Sequence, residues 1–325
     1  MLINAPFAAQ QMTRFSLDCW DGELSTRMSP EEWRRVLVLR DHPRMLDGLL
    51  RYGQLMTAYF AGNTLLNKVV TEAWRFETLV YALHLHDTRD PADPQTGLTL
   101  SRLKRLCAIH KCASPGRVLA LIGIMQVAGF LKRKRSDVDS RIVHLEPSDG
   151  FVKIVEGWNQ QIFQIIDEIL PHDRLALCHR AHPRFGWEMR RRGAETVLAG
   201  WKLLDPFPEV MHFLSRDGAW MLLLHCASET MQHGNREHIV PVSVDLKAFG
   251  QRYGVSRSHL RRVLETGHLK GLLLAPPQNG ACIVLAPHLL ASFLTCMASE
   301  LGHYRLWALE ARKVLGVDEA ALLVA

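Results

Sequence analysis

The sequence predicts a mainly α-helical protein with small β-hairpins, built as a pseudo-two-fold internal repeat. Three observations carry this: two stretches that read alike, apolar residues at helical spacing within both, and basic charge gathered in the same stretches. At about 100–200 residues per domain, 325 residues allow two domains with separate cores.

The first stretch runs from Thr99 through Ser114 and Gly129 to Pro147, the second from Ser243 through Ser256 and Gly271 to Pro287. In each, 16 residues separate the central serine from the first strand residue, Ser114 to Phe130 and Ser256 to Leu272. Each closes on a β-type run ending Leu-x-Pro and then enters an amphipathic helix, Phe151–Leu170 or Leu289 to about Leu315. Upstream, Ala73-Trp74 and Ala219-Trp220 each open a helix. Further up, a proline break follows aspartate, at Asp41-His42-Pro43 and at Asp205-Pro206-Phe207-Pro208. Common order and spacing divide the chain into units 1–170 and 171–325.

Within each stretch the elements follow from local signals. Thr99 and Ser243 are suitable N-caps for short helices with apolar spacing Leu103-Leu106-Ile109 and Leu246-Phe249-Tyr253. Breaks follow at His110–Ala113 and Gly254-Val255. Ser114 then caps a helix with Pro115 at its first position, where a missing donor costs nothing, and Ser256 caps Arg257–Thr266. Val118, Leu119, Ile122 and Met125 mark the apolar side of one second helix; Leu260, Val263 and Leu264 mark the other. Gly129 and Gly267 are candidate C-caps, and strand pairs with turns at Ser136–Ser140 and Pro276–Gly280 read as hairpins.

Helix–turn–helix followed by a hairpin is the layout of a winged helix. Over about 45 residues in each half, most clearly Val255-Ser256-Arg257-Ser258-His259-Leu260-Arg261-Arg262, the chain resembles bacterial winged helix-turn-helix transcriptional regulators, broadly MarR-like. The resemblance implies tandem winged helix-turn-helix domains joined by helical segments, at about 74–147 and 219–287. Such regulators usually carry one module and dimerise. Two modules here imply a covalent pseudo-dimer paired through its flanking helices.

The charge distribution points the same way. The formal net charge is +6, yet residues 99–145 carry +8 and residues 243–285 carry +4, leaving −6 for the rest. Positive charge confined to such modules is the footprint expected for double-stranded DNA. The halves differ. In the second, Ser256, Arg257, Ser258, His259, Arg261 and Arg262 lie near the start of the second helix, the end that reaches base edges, while the wing Ala275–Ala281 has no charge. In the first, the second helix offers little beyond its cap Ser114, Arg117 and Gln126, but the wing carries Lys132, Arg133, Lys134, Arg135 and Arg141. The second module is therefore expected to read the major groove and the first wing to clamp phosphates or the minor groove. Strand alternation would turn only two of Lys132–Arg135 toward each face, although an edge hairpin can expose all four. Unlike modules also predict two unlike half-sites, about one helical turn or more apart.

Other chemistry is weakly signalled. No Gly-x-Ser-x-Gly elbow, Walker A loop or dinucleotide fingerprint occurs, so neither an enzyme nor a cofactor is expected. Glu31-Glu32 follows Ser29-Pro30 and suits a helix start. Cys107/His110/Cys112, Cys178/His182 and His84/His86/Asp87 are each half a metal site at most, so no metal is expected. Trp33, Trp74, Trp158, Trp187, Trp201, Trp220 and Trp307 fall in expected helices and suit packing; the resemblance to such regulators implies that a cleft among them would take an apolar or aromatic effector. Arg190–Arg192 reads as a solvated linker or helix end. No apolar run approaches a membrane span, the N-terminus lacks signal-peptide features, and seven scattered cysteines suit a reducing cytoplasm.

The expected function is a cytoplasmic transcriptional regulator, with a homodimer left open. A plasmid-type replication initiator with tandem winged helices and a winged-helix protein-interaction scaffold without DNA binding are the competing readings.

Overall fold

The computed structural model describes residues 13–234, 236–276 and 282–317. It is mainly helical, with small two-stranded antiparallel sheets. After β1 (Thr13–Arg14), a 3-10 turn (Leu17–Trp20) and α1 (Asp21–Ser25) come α2 (Pro30–Arg40), α3 (Met45–Phe60), α4 (Thr64–Val70), α5 (Ala73–Asp87), α6 (Leu100–Ile109), α7 (Pro115–Val127), the hairpin β2 (Leu131–Arg135) and β3 (Val143–Pro147), and α8 (Asp149–Ile169). The order then starts over: α9 (Leu175–Ala181), α10 (Phe185–Leu198), α11 (Pro208–Leu214), α12 (Ala219–His233), β4 (His238–Ile239), β5 (Val242–Ser243), α13 (Leu246–Tyr253), α14 (Arg257–Leu269), β6 (Cys282–Ile283) and α15 (Pro287–Leu315). β1 pairs with β4, β2 with β3 and β5 with β6, and a bridge joins Leu273 to Leu285.

The recurrence extends to individual hydrogen bonds. In both halves a helix is followed by His-Pro-Arg, whose histidine Nδ1 accepts the arginine N–H: Arg44 to His42 at 3.1 Å, Arg184 to His182 at 3.3 Å. These turns launch α3 and α10. The structural counterpart of Asp41-His42-Pro43 is thus His182-Pro183, not the proline break at Asp205–Pro208. The helix–turn–helix turns close alike, by Cys112 N–H to the Cys107 carbonyl at 3.1 Å and by Val255 N–H to the Gly250 carbonyl at 2.9 Å. Each has a left-handed residue just before the donor, Lys111 (φ 55°) and Gly254 (φ 72°). This is the usual way a helix end satisfies its orphan carbonyls. A short extended segment before each helix–turn–helix pairs with the far hairpin strand: Leu145 N–H donates to the Leu98 carbonyl at 2.8 Å, and Val242 is in register with Ile283.

Most local signals act as the sequence implies. Ser114 Oγ accepts from Arg117 N–H at 3.4 Å and Ser256 Oγ from His259 N–H at 3.1 Å. Thr99 caps α6 through Arg102 N–H at 3.3 Å. Four expectations need correction. Ser243 does not cap α13; it lies in β5, and Asp245 caps instead, accepting from Lys247 and Ala248 N–H at 2.8 and 3.1 Å. These N–H bonds, from Ala248 and Lys247, hold the Asp245 carboxyl below its usual pKa. Gly267 lies inside α14, whose C-terminal turn is made by Gly271 (φ 75°), as Gly129 (φ 71°) makes that of α7. Trp201 lies outside any helix, with its ring 3.9 Å from that of His303. Arg190–Arg192 is no linker: it sits within α10, Arg190 pairing with Asp87 and Glu156, and Arg191 and Arg192 with Glu188 and Glu195.

The expected boundary at 170/171 falls between α8 and α9, where the order restarts, but the compact units are cut differently. One gathers the chain to Asn67 with Leu203–Glu300; the other gathers Lys68–Lys202 with the chain from Leu301. In the first, α3 packs on α12; in the second, α10 packs on α5. Each half thus lends the helix after its His-Pro-Arg turn to the core of the other. The second unit's core joins Tyr81 and Leu85 (α5), Leu103 and Cys107 (α6), Leu121 and Ile122 (α7), Leu131, Leu145 and Phe151, with Val197 and Leu198 of α10 against it. Apolar burial at roughly 25 cal/mol per Å² is the main attraction holding such a core.

Candidate nucleic-acid interface

In the second half, α14 buries Leu260, Val263 and Leu264 and turns Arg257, Ser258, Arg261, Arg262 and Glu265 to solvent. The spacing explains this: residues 257 and 261, and 258 and 262, are one helical turn apart, opposite the apolar stripe. Arg261 Nε lies 2.8 Å from Glu265 Oε1, an exposed pair worth only about 0.3–0.5 kcal/mol and easily opened by a stronger acceptor. Among the described residues, Arg257 and Arg262 make no ion pair. Ser256 is committed as the cap and also lies 3.1 Å from Ser258 Oγ. His259 turns away from this face: it is half-buried, with Nε2 3.1 Å from the Asp217 carbonyl oxygen. Its place in the motif does not decide its direction, because the ring follows the nearest buried acceptor. Lys247 and Arg252 of α13 are also exposed. The uncharged wing's residues 277–281 lie outside the described residues.

The first half has the opposite arrangement. All four of Lys132, Arg133, Lys134 and Arg135 are exposed, since β2–β3 is a two-stranded hairpin without a further strand covering it. Lys134 Nζ is 3.7 Å from Glu146 Oε1, which Arg89 holds at 3.0 Å. Arg141 pairs with Asp139 at 2.9 Å and is itself exposed; its guanidinium hydrogen bonds hold the Asp139 carboxyl below its usual pKa. Lys132, Arg133 and Arg135 make no ion pair among the described residues. On α7, Arg117 is exposed but stacks over the Trp74 ring at 5.6 Å. The rest of that helix's outward side is Gly116, Leu119, Ala120, Gly123 and Val127, with Leu119 51% and Val127 84% exposed. It offers bases almost no hydrogen-bonding side chain.

Of the other clusters, Asp87 pairs with Arg190 and His182 accepts from Arg184 N–H, while His84 Nδ1 is buried without a partner. His179 bridges Glu156 and Gln160, each at 2.8 Å, and Trp33, Trp74 and Trp187 lie beneath Arg40, Arg75 and Arg184. Among the described residues no group of three or more His, Cys, Asp or Glu side chains is placed to hold a metal ion. No described helix is long and apolar enough to cross a membrane. Sequence reasoning missed the Trp74–Arg117 stack and the inward turn of His259, for which spacing gives no signal.

Comparison with protein-family models, with curated proteins and with solved structures gives no match, so the reading of these surfaces rests on their own residues.

Proposed function

We propose that this chain is a duplex-DNA-binding transcriptional regulator built on two winged helices. The start of α14 enters the major groove, and the β2–β3 wing grips phosphates or the minor groove. The observation that carries this reading is the solvent-facing set Arg257, Ser258, Arg261 and Arg262 at the N-terminal end of α14, the second helix of a helix–turn–helix followed by the Leu273–Leu285 bridge. Arg262 and Arg257, neither in an ion pair among the described residues, are the principal base readers. Arg261 joins once Glu265 is displaced. His259 holds the helix in place rather than reading DNA.

The test is selection of duplexes from a random pool by the purified chain, sequencing of those retained, and titration against selected and random duplex at several salt concentrations. Arg262→Ala should weaken the selected duplex by roughly 1–3 kcal/mol and relax its sequence preference. Neutralising Lys132–Arg135 should weaken both duplexes alike and reduce the salt slope by about 0.9 for each phosphate left without its cation. Negligible binding to random duplex at low salt would end the reading. Repeated origin elements among the selected sites would favour a replication initiator over a regulator.

A second reading concerns α7 alone. Its outward Leu119, Ala120 and Val127 suit contact with protein better than base readout. Leu119→Glu should then leave DNA affinity unchanged and alter sedimentation behaviour.

A further inference from the structure

We infer that Cys107 and Cys112 form a dithiol that hydroperoxides convert to an intramolecular disulfide, a modification site within the turn joining α6 and α7. The inference stands apart from the DNA reading. Cys107 is fully buried near the end of α6, and Cys112 is half-buried in the turn. The backbone brings them together: Lys111 in the left-handed region folds the chain back, and Cys112 N–H donates to the Cys107 carbonyl at 3.1 Å. Both sulfurs also reach one hydroxyl. Thr78 Oγ1, fixed by donating to the Trp74 carbonyl at 2.7 Å, lies 3.8 Å from Cys107 Sγ and 4.0 Å from Cys112 Sγ. Two cysteines in adjoining backbone with converging side chains are what a disulfide needs. The second half keeps the same closing bond but has Gly250 and Val255 at these positions, so the device belongs to the first half alone.

The chemistry suits the pair. The neighbouring Cys112 thiol, opposed by burial, holds Cys107 below the ordinary thiol pKa, while Cys112 is pushed up. Once one proton has left, the remaining one rests mainly on Cys112, and its transfer to Cys107 gives the Cys112 thiolate as the minor but solvent-open form. Cys112, the sulfur open to solvent, then attacks the peroxide. Its S–O bond forms, the O–O bond breaks, and the departing oxygen takes a proton from solvent and leaves as water or an alcohol. Cys107 Sγ next attacks the sulfenic sulfur: the S–S bond forms, the S–O bond breaks, and hydroxide leaves with the Cys107 proton as water. The two thiols together lose two electrons, which the hydroperoxide takes up.

The test treats the full chain with hydrogen peroxide, blocks remaining thiols, and digests with trypsin. Cleavage after Arg105, Lys111 and Arg117 separates Leu106–Lys111 from Cys112–Arg117, so the disulfide appears as these two peptides linked, and reductant separates them. The linked pair should form ahead of oxidation at the exposed Cys19 and Cys282. Cys107→Ser should leave Cys112 as a sulfenic acid trapped by dimedone. Earlier oxidation of Cys19 or Cys282 with no linked pair would overturn the proposal. If Cys107→Ser does not fold, peptide mapping of the unmodified chain decides alone.

Discussion

A methyl group on Gly250 would sit 2.4 Å from the carbonyl oxygen of Val255, closer than packed atoms allow. That oxygen is backbone and cannot swing aside. Glycine here lets the end of α13 approach the turn that aims α14. Gly250→Ala should therefore destabilise the protein by roughly 1–3 kcal/mol, read by denaturant titration. Gly123→Ala is the counter-case: its methyl meets nothing within 4 Å in the middle of α7, and better helix propensity should stabilise by about 0.8–1.0 kcal/mol.

If α14 binds DNA as proposed, Glu265 would compete with the duplex for Arg261. Glu265→Gln removes one negative charge from the face of α14 and releases the guanidinium held at 2.8 Å. Duplex affinity should rise about two- to fivefold at low salt, and the gain should shrink as salt screens it. Fluorescence anisotropy of labelled duplex measures both; unchanged or weaker binding would contradict the role given to Arg261.

Two buried histidines, His212 and His144, should make the protein acid-sensitive. His212 Nε2 is 3.1 Å from the Val263 carbonyl oxygen, while its Nδ1 has no partner. His144, buried within strand β3 of the hairpin, has no partner at either ring nitrogen. Burial lowers both pKa values, and for His144 the Arg89, Arg102 and Lys134 charges add to it. A histidine lowered in the folded state binds its proton more readily when unfolded. Its stabilisation is present above the unfolded value of about 6.5 and is lost as pH falls from there toward the folded values. Stability measured from pH 7.5 down to 5 should decline accordingly. His144→Leu should flatten part of that decline and add about 1 kcal/mol at neutral pH by removing orphaned polar atoms.

The exchange of α3 and α10 predicts how the chain can be cut. Fragments 1–170 and 171–325 follow the repeat, but each leaves one core without its covering helix. Each fragment alone should show weak, broad thermal unfolding, and mixing the two should restore a cooperative transition. Two independently stable fragments would contradict the exchange.

Much of the local structure was legible because caps, turns and apolar stripes depend on residues within about four positions. Ser114, Ser256 and Thr99 act as caps, and Arg257, Ser258, Arg261 and Arg262 stand opposite the stripe Leu260–Val263–Leu264. The true caps Asp245 and Gly271 were less apparent, because Ser243 and Gly267 offered equally good chemistry two and four residues away. The direction of His259 and the stack of Arg117 on Trp74 depend on groups distant in sequence.

By itself the sequence determined a repeated helical unit and where its charge lies. Tertiary structure alone decided that each half covers the other's core. Hydrophobic burial is non-directional, so an apolar face on α3 or α10 fixes no partner until the whole chain has closed.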